Sequence, residues 1–245
     1  MQVSDDLYLG TAPILMNNPA NPSVQELGVG PMGRVFVWDV VPVTLNTTGI
    51  AAVQLTAGAA DLALTAGTGA TAITLPDGTA AVQLDTPRCV TLTVATTNQS
   101  ALTFVIYGID QYGQRMTFSM SGPNNNTVAT TKAFKIVYRV TVSGQIATNG
   151  VSVGFNDKLG LPFRVTDVCY VQSVKWATTL AQDAGTFVAA DTTSPATATT
   201  TDVRGCYTPS SAANGTRRLV MTIALPALAS GSNATRIGAA GVDQA

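Results

Sequence analysis

Val90-Thr91-Leu92-Thr93-Val94, Leu102-Thr103-Phe104-Val105-Ile106-Tyr107, Met116-Thr117-Phe118-Ser119-Met120 and Phe134-Lys135-Ile136-Val137-Tyr138-Arg139-Val140-Thr141-Val142 follow one another within residues 88–143. The first sets Val90, Leu92 and Val94 against Thr91 and Thr93. The last sets Phe134, Ile136, Tyr138, Val140 and Val142 against Lys135, Val137, Arg139 and Thr141. Successive side chains of an extended chain point to opposite faces. A period of two therefore predicts antiparallel strands, each with one face on a core. Asp110-Gln111-Tyr112-Gly113 predicts a tight hairpin between the second and third stretches. Gly122-Pro123-Asn124-Asn125-Asn126 predicts a longer polar loop. Short strands and turns in this order predict an all-β fold, an antiparallel β-sandwich of Ig-like or jelly-roll-like kind.

Working outward, Arg34–Thr44 is apolar on both faces and predicts a strand buried on both sides, with Pro42 placing its end at a sheet edge. Residues 1–30 hold Pro13, Asn17, Asn18, Pro19, Asn21 and Pro22 without periodicity, and predict an extended N-terminal arm. Residues 31–88 carry short apolar pieces (Val53–Leu55, Leu62–Leu64, Ile73–Leu75, Val82–Leu84) and the turn Pro76-Asp77-Gly78, and predict a small β region. Residues 89–225 hold the sandwich, with further strands at Val151–Phe155, Phe163–Val174 and Arg217–Leu225 and a turn at Asn214-Gly215. Ala177–Thr201 is a low-complexity Ala/Thr/Asp stretch of loops and edge strands, and residues 226–245 predict a flexible C-terminal tail. No amphipathic helix longer than two turns is expected.

The 245 residues contain no histidine and a single glutamate, Glu26. The side chain that titrates near neutral pH is missing, which argues against proton-transfer chemistry. Thr and Val, stiff at χ1, suit pleated sheets instead. The net charge of -1 leaves no basic field for a phosphate backbone, so nucleic acid is not expected as a partner. It also lowers the barrier to self-association. Met1-Gln2-Val3-Ser4-Asp5-Asp6 carries acid where a signal peptide needs base. No window reaches the roughly 18 apolar residues of a membrane span. The expectation is a chain made and kept in a cytosol, where Cys89, Cys169 and Cys206 act as buried small hydrophobes. A Cys89–Cys169 pair is conceivable, but no sequence feature supports it.

The remaining motifs favour structural readings. Gly28-Val29-Gly30-Pro31-Met32-Gly33 matches G-x-G-x-x-G. An irregular arm precedes it, a strand follows, and Pro31 removes an amide donor, so it reads as an entry turn, not a dinucleotide site. No Ser-x-x-Lys contains Lys132, Lys135, Lys158 or Lys175. Paired carboxylates could serve glycoside cleavage, but Asp77, Asp110 and Asp157 read as turn formers. Asp183 and Asp191 could join loop carbonyls around calcium, without the D-x-D-x-D-G run. The Asn-x-Thr triplets at Asn46, Asn125, Asn214 and Asn233 matter only in a secreted chain. Arg217-Arg218 is expected to flank the last strand on its solvent side. No catalytic residue, cofactor-binding residue, cofactor or metal ligand is assigned, and no enzyme is expected.

Thr103-Phe104-Val105-Ile106-Tyr107-Gly108-Ile109-Asp110-Gln111-Tyr112-Gly113, Ser121-Gly122-Pro123-Asn124 and Thr131-Lys132-Ala133-Phe134-Lys135-Ile136-Val137 are together similar to a β-module of tailed-bacteriophage virion proteins. Asp157-Lys158-Leu159-Gly160-Leu161-Pro162 and Thr201-Asp202-Val203-Arg204-Gly205-Cys206-Tyr207 resemble that group as well. The likeness covers residues 25–225, and its motifs are turns and strand starts. It implies a lineage and a fold, not an active site. The implied role is a structural component of the virion, with head decoration or cementing foremost. The expected partners are then the major capsid protein and copies of this chain, as a homotrimer, in a particle assembled in the host bacterial cytoplasm. Neither nucleic acid nor membrane is an expected partner. Two rival expectations stand beside it: a tail or neck component (tube, collar or spike), and a carbohydrate-binding host-contact module stacking sugars on Trp38, Trp176 or Tyr112.

Overall fold

A computed structural model describes residues 7–9, 33–191 and 202–225. In chain order the strands are β1 (Leu7–Leu9), β2 (Gly33–Val40), β3 (Asn46–Thr56), β4 (Ala60–Asp61), β5 (Ala70–Thr74), β6 (Ala80–Thr93), β7 (Thr103–Ile109) and β8 (Arg115–Ser121). They continue as β9 (Thr127–Val142), β10 (Ile146–Gly160), β11 (Val171–Trp176), β12 (Ala181–Gln182), β13 (Thr186–Val188), β14 (Cys206–Thr208) and β15 (Leu219–Leu225). The fold is all-β, as the alternation predicts, and every strand pair is antiparallel. The one helical turn among the described residues is a 3-10 turn at Val168–Tyr170, capped by the Asp167 carboxylate, which accepts the Cys169 N–H at 2.8 Å. None of their helices is long and apolar enough to cross a membrane.

The larger sheet runs β13-β14-β10-β6-β9-β7-β8, with β3, β4 and β5 attached to β10, β9 and β6. It curls until its ladder nearly closes. Leu62 N–H donates to Val140 O at 2.8 Å, and Thr65 and Gly67 N–H donate to Ile50 and Gly49 O at 2.8 and 3.0 Å. Residues 60–67 thus strap β9 to β3, and β3 returns to β10. The curl encloses Phe104, Phe134, Phe155, Ile50, Leu92, Ile106 and Ile146, all fully buried. Each such side chain contributes about 1.5–3 kcal/mol relative to leaving it in water.

The smaller sheet runs β1-β2-β15-β11-β12. It builds a second core from Trp38, Val174, Trp176, Leu219, Met221 and Ile223, capped by Leu159, Leu161, Val165 and Tyr207. β10 serves both cores, giving Phe155 to the first and Leu159 to the second.

Several sequence expectations need restating. The boundary drawn at 88/89 falls inside the unbroken strand β6, and β2 pairs through seven positions with β15 at the other end of the chain. Thr91, expected on a polar face, is buried. On β9 the alternation places Ile136 and Tyr138 in the core, yet Val137 is buried in their stead. Two register shifts explain this. The ladder to β7 skips Tyr138 between Arg139 and Val137, and the ladder to β6 jumps between Gln83 and Arg88. A bulge of one residue flips every following side chain. The second shift restores the phase, so Phe134 and Val140 still face the core.

The turns at Asp77-Gly78, Asp110–Gly113 and Asn214-Gly215 form as expected, with Gly78, Gly113 and Gly215 all at positive φ, where glycine is unstrained. Of the N-terminal arm, Leu7–Leu9 pairs with β2 of the same chain. The rest of the arm, the glycines at 28 and 30, the tail 226–245 and the stretch 192–201 lie outside the described residues.

Candidate functional site

Among the described residues of this sparsely charged chain, eight charged side chains are buried: Arg88, Asp110, Lys132, Asp157, Arg164, Asp191, Asp202 and Arg204. Arg88 is fully buried beside the irregular turn of β6. Its Nη2 donates to Val43 O and to Asp85 Oδ2, both at 2.7 Å, and its Nε donates to Asp85 Oδ1 at 2.8 Å. Its Nη1 reaches Asp157 Oδ1 and Asn156 O, both at 3.3 Å, and its guanidinium lies 5.0 Å from the centre of the Phe155 ring. Burial pushes the Asp157 carboxyl above the usual range, while the Ala213 N–H and Arg88 hold it back. Asp157 therefore sits within a strand as an ion-pair partner, not in a turn. Asp77 and Asp110 do act as turn formers.

A second cluster lies where the smaller core meets the larger sheet. Asp110 Oδ1 accepts from Tyr112 and Gln114 N–H at 2.8 and 2.9 Å, closing the β7–β8 hairpin. Its Oδ2 lies 2.7 Å from Arg204 Nη1, both groups buried. The Arg204 guanidinium covers the Tyr112 ring at 4.7 Å, and the Tyr112 hydroxyl donates to Pro162 O. Asp202 Oδ2 accepts Ala133 N–H from β9 at 2.8 Å, and its Oδ1 accepts Arg204 N–H at 2.8 Å. Arg164, buried, donates to Asp191 O at 2.9 Å. Lys132 is buried against the field of Asp202 and Asp191.

Burial pushes the ammonium groups of Lys132 and Lys135 below the usual lysine range, with Asp202 and Asp191 partly offsetting it at Lys132 and Asp85 at Lys135. Between the lowered values and 10.5, the unfolded chain binds more protons than the folded one. Stability therefore rises with pH through that window as far as these groups contribute. Lys132→Met is expected to flatten the rise. Urea unfolding midpoints of both proteins, at successive pH values up to the ordinary lysine value, check it; parallel curves would count against it.

These groups bind one another, and none is placed as a nucleophile with a base. Cys206 touches Cys89; that contact and complete burial push its thiol well up, which keeps it protonated and unreactive. Cys169, expected to be buried, is exposed on the 3-10 turn as a free thiol, and the neighbouring Asp167 carboxylate pushes that thiol up as well. The Tyr207 hydroxyl donates to Asp183 Oδ2 at 2.7 Å, and burial pushes its pKa up. Among the described residues no group of three or more His, Cys, Asp or Glu is placed to hold a metal ion. Asp183 is engaged by Tyr207 and Ser210, and Asp191 stands at the second cluster.

The aromatic residues named for sugar stacking are not arranged as a platform. Trp38 and Trp176 belong to the second core, and Trp176 Nε1 donates to Ser211 Oγ at 3.0 Å. Tyr112 is exposed but is held beneath Arg204. The bulge at Tyr138 instead creates an ordered face on the outside of β7, β8 and β9. Tyr107 and Tyr138 lie 6.4 Å apart, with Arg139 over the first ring at 5.3 Å and Arg115 over the second at 5.6 Å. Asp61 holds Arg139 through two bonds of 2.9 and 3.1 Å, and Asp77 lies 3.3 Å from Arg115. Tyr and Arg held in place in this way are enriched at the centres of protein interfaces. Sequence reasoning missed this face because it assigned Tyr138 to the core, and no residue type announces the bulge. A second exposed apolar feature, Val53 and Leu55, borders an open groove of about 740 Å³ with Thr47, Thr93 and Asn149.

No known protein family matches this chain, and no curated protein or solved structure is similar enough to it to count as a match.

Proposed function

We propose that this protein is a non-enzymatic structural component of a tailed-phage virion, a decoration or cement protein of the head. The observation that carries the proposal is the coincidence of two features. The runs 103–113, 121–124 and 131–137, which resemble phage virion proteins, supply β7, the end of β8 and the middle of β9, and the meander of these strands presents the Tyr107, Tyr138, Arg115 and Arg139 face. The other resembling stretches supply the interior clamps Asp157, Asp202 and Arg204, which suit a body that must keep its shape under load.

In this reading the body is a β-sandwich seated on the outer capsid lattice, bound to the major capsid protein and to its own copies as a trimer at a local threefold. No nucleic acid or membrane takes part. Linking neighbouring capsomers makes several contacts break together, which strengthens the shell without chemistry. The test is the copy number of the chain per purified virion, by quantitative mass spectrometry against the major capsid protein. A ratio near one to one, or a simple fraction of it, is expected. A handful of copies would move the protein to the tail or neck, and absence from particles would overturn the reading.

A further inference from the structure

β8 is the outermost strand of the larger sheet and pairs with β7 and no other described strand. Its register runs from Ile109↔Arg115 to Thr103↔Ser121 without a shift. Asp110 N–H donates to Gln114 O at 2.9 Å, and Gly122 N–H to Leu102 O at 2.8 Å. Hydrogen-bonded pairs recur at every second residue of an antiparallel ladder. The β8 residues bonded to β7 are therefore Met116, Phe118 and Met120. Arg115, Thr117, Ser119 and Ser121 turn their N–H and C=O groups outward, where no described strand meets them.

Exposed edges usually carry a lysine, a proline or a bulge that prevents pairing. β8 has none of these, and its single charge, Arg115, stands at its first position. Its inner side is incompletely covered: Phe118 and Met120 are half-buried at the margin of the main core.

We propose that two copies of this chain join through β8, antiparallel about a two-fold axis at Phe118. In that register Thr117 faces Ser119 of the second copy, and Arg115 faces its Ser121. Every outward N–H and C=O of both strands is then used. Phe118 stands opposite its own copy at a non-hydrogen-bonded position, where side chains approach most closely. Met116 faces Met120 of the second copy, so the half-buried margin is covered from both sides. A slip of one residue would set inner side chains against outer ones and lose these contacts. Any extended strand could satisfy the main chain, but the identical strand also matches Phe118 to Phe118. The net charge of -1 opposes the association little. This contact rests on the sheet edge alone, not on the virion reading, and is separate from the proposed threefold contact.

The test uses Thr117→Cys and Ser119→Cys, each in a Cys169→Ser background. They are oxidised singly and as a mixture, then separated under denaturing, non-reducing conditions. The mixture is expected to give a disulfide-linked dimer and each variant alone a monomer, because only unlike positions face each other. No dimer in the mixture, or equal dimer in the single variants, overturns the proposal. Ser121→Pro, added to both variants, removes an outward N–H and leaves the β7 ladder intact. With the far-UV circular dichroism unchanged, it is expected to abolish the dimer; an undiminished yield overturns the proposal as well.

Discussion

Replacing Arg88 by alanine is expected to destabilise the protein by about 3–5 kcal/mol, the usual result of stripping a buried ion pair of one partner. Arg88 is fully buried and neutralises Asp85 and Asp157 while bonding Val43 O. Alanine leaves two carboxylates without their cation, an unbonded carbonyl and an empty space against Phe155. Arg88→Met with Asp157→Leu fills the space and removes one of the two carboxylates, while Asp85 and Val43 O stay without Arg88, so it is expected to recover part of the loss. Urea unfolding followed by far-UV circular dichroism measures both. An unchanged midpoint in the alanine variant would mean that water already reaches the carboxylates.

The second large effect is expected at Asp202. Its carboxylate ties Ala133 of β9 to the turn before β14 and lies near Lys132. Asp202→Ala removes one of two carboxylates that offset a buried ammonium and orphans a buried N–H, again a cost of about 3–5 kcal/mol. The effect is also expected to be local. Trp38 and Trp176 both lie in the second core, so tryptophan fluorescence reports that core, while circular dichroism reports all strands. In the variant the fluorescence transition is expected at lower urea than the circular dichroism transition. Coincident transitions at the wild-type midpoint would sink the idea that Asp202 clasps the smaller core to the larger sheet.

These two residues show where reading by pattern stops. Asp202 and Arg204 stand in the short segment before β14, where nothing in the neighbouring residues names their partners. Asp110 reads as a hairpin former, and it is one. Its other oxygen, however, pairs with Arg204, which is distant in sequence and follows β13. Local turn chemistry is written in neighbouring residues; the partner of a buried charge is not. The same limit applies to Tyr138. Alternation assigns it to the core, and a bulge set by pairing with β7 turns it toward solvent beside Tyr107.

Composition and periodicity by themselves determined that this is an all-β antiparallel protein, that the β7–β8 hairpin closes at Asp110–Gly113, and that Phe104, Ile106, Phe134 and Val140 are core. A side chain two positions along an extended chain returns to the same face, so local order is enough for those conclusions. Only the tertiary structure decided that β2 pairs with β15, that residues 60–67 strap β9 to β3, and that Arg88, Arg204 and Asp202 are interior clamps. It also decided which edge is left open, at β8. Those outcomes depend on pairings between residues remote in sequence, and on register shifts whose stability comes from burying the whole core at once. A window of a few residues cannot carry that information.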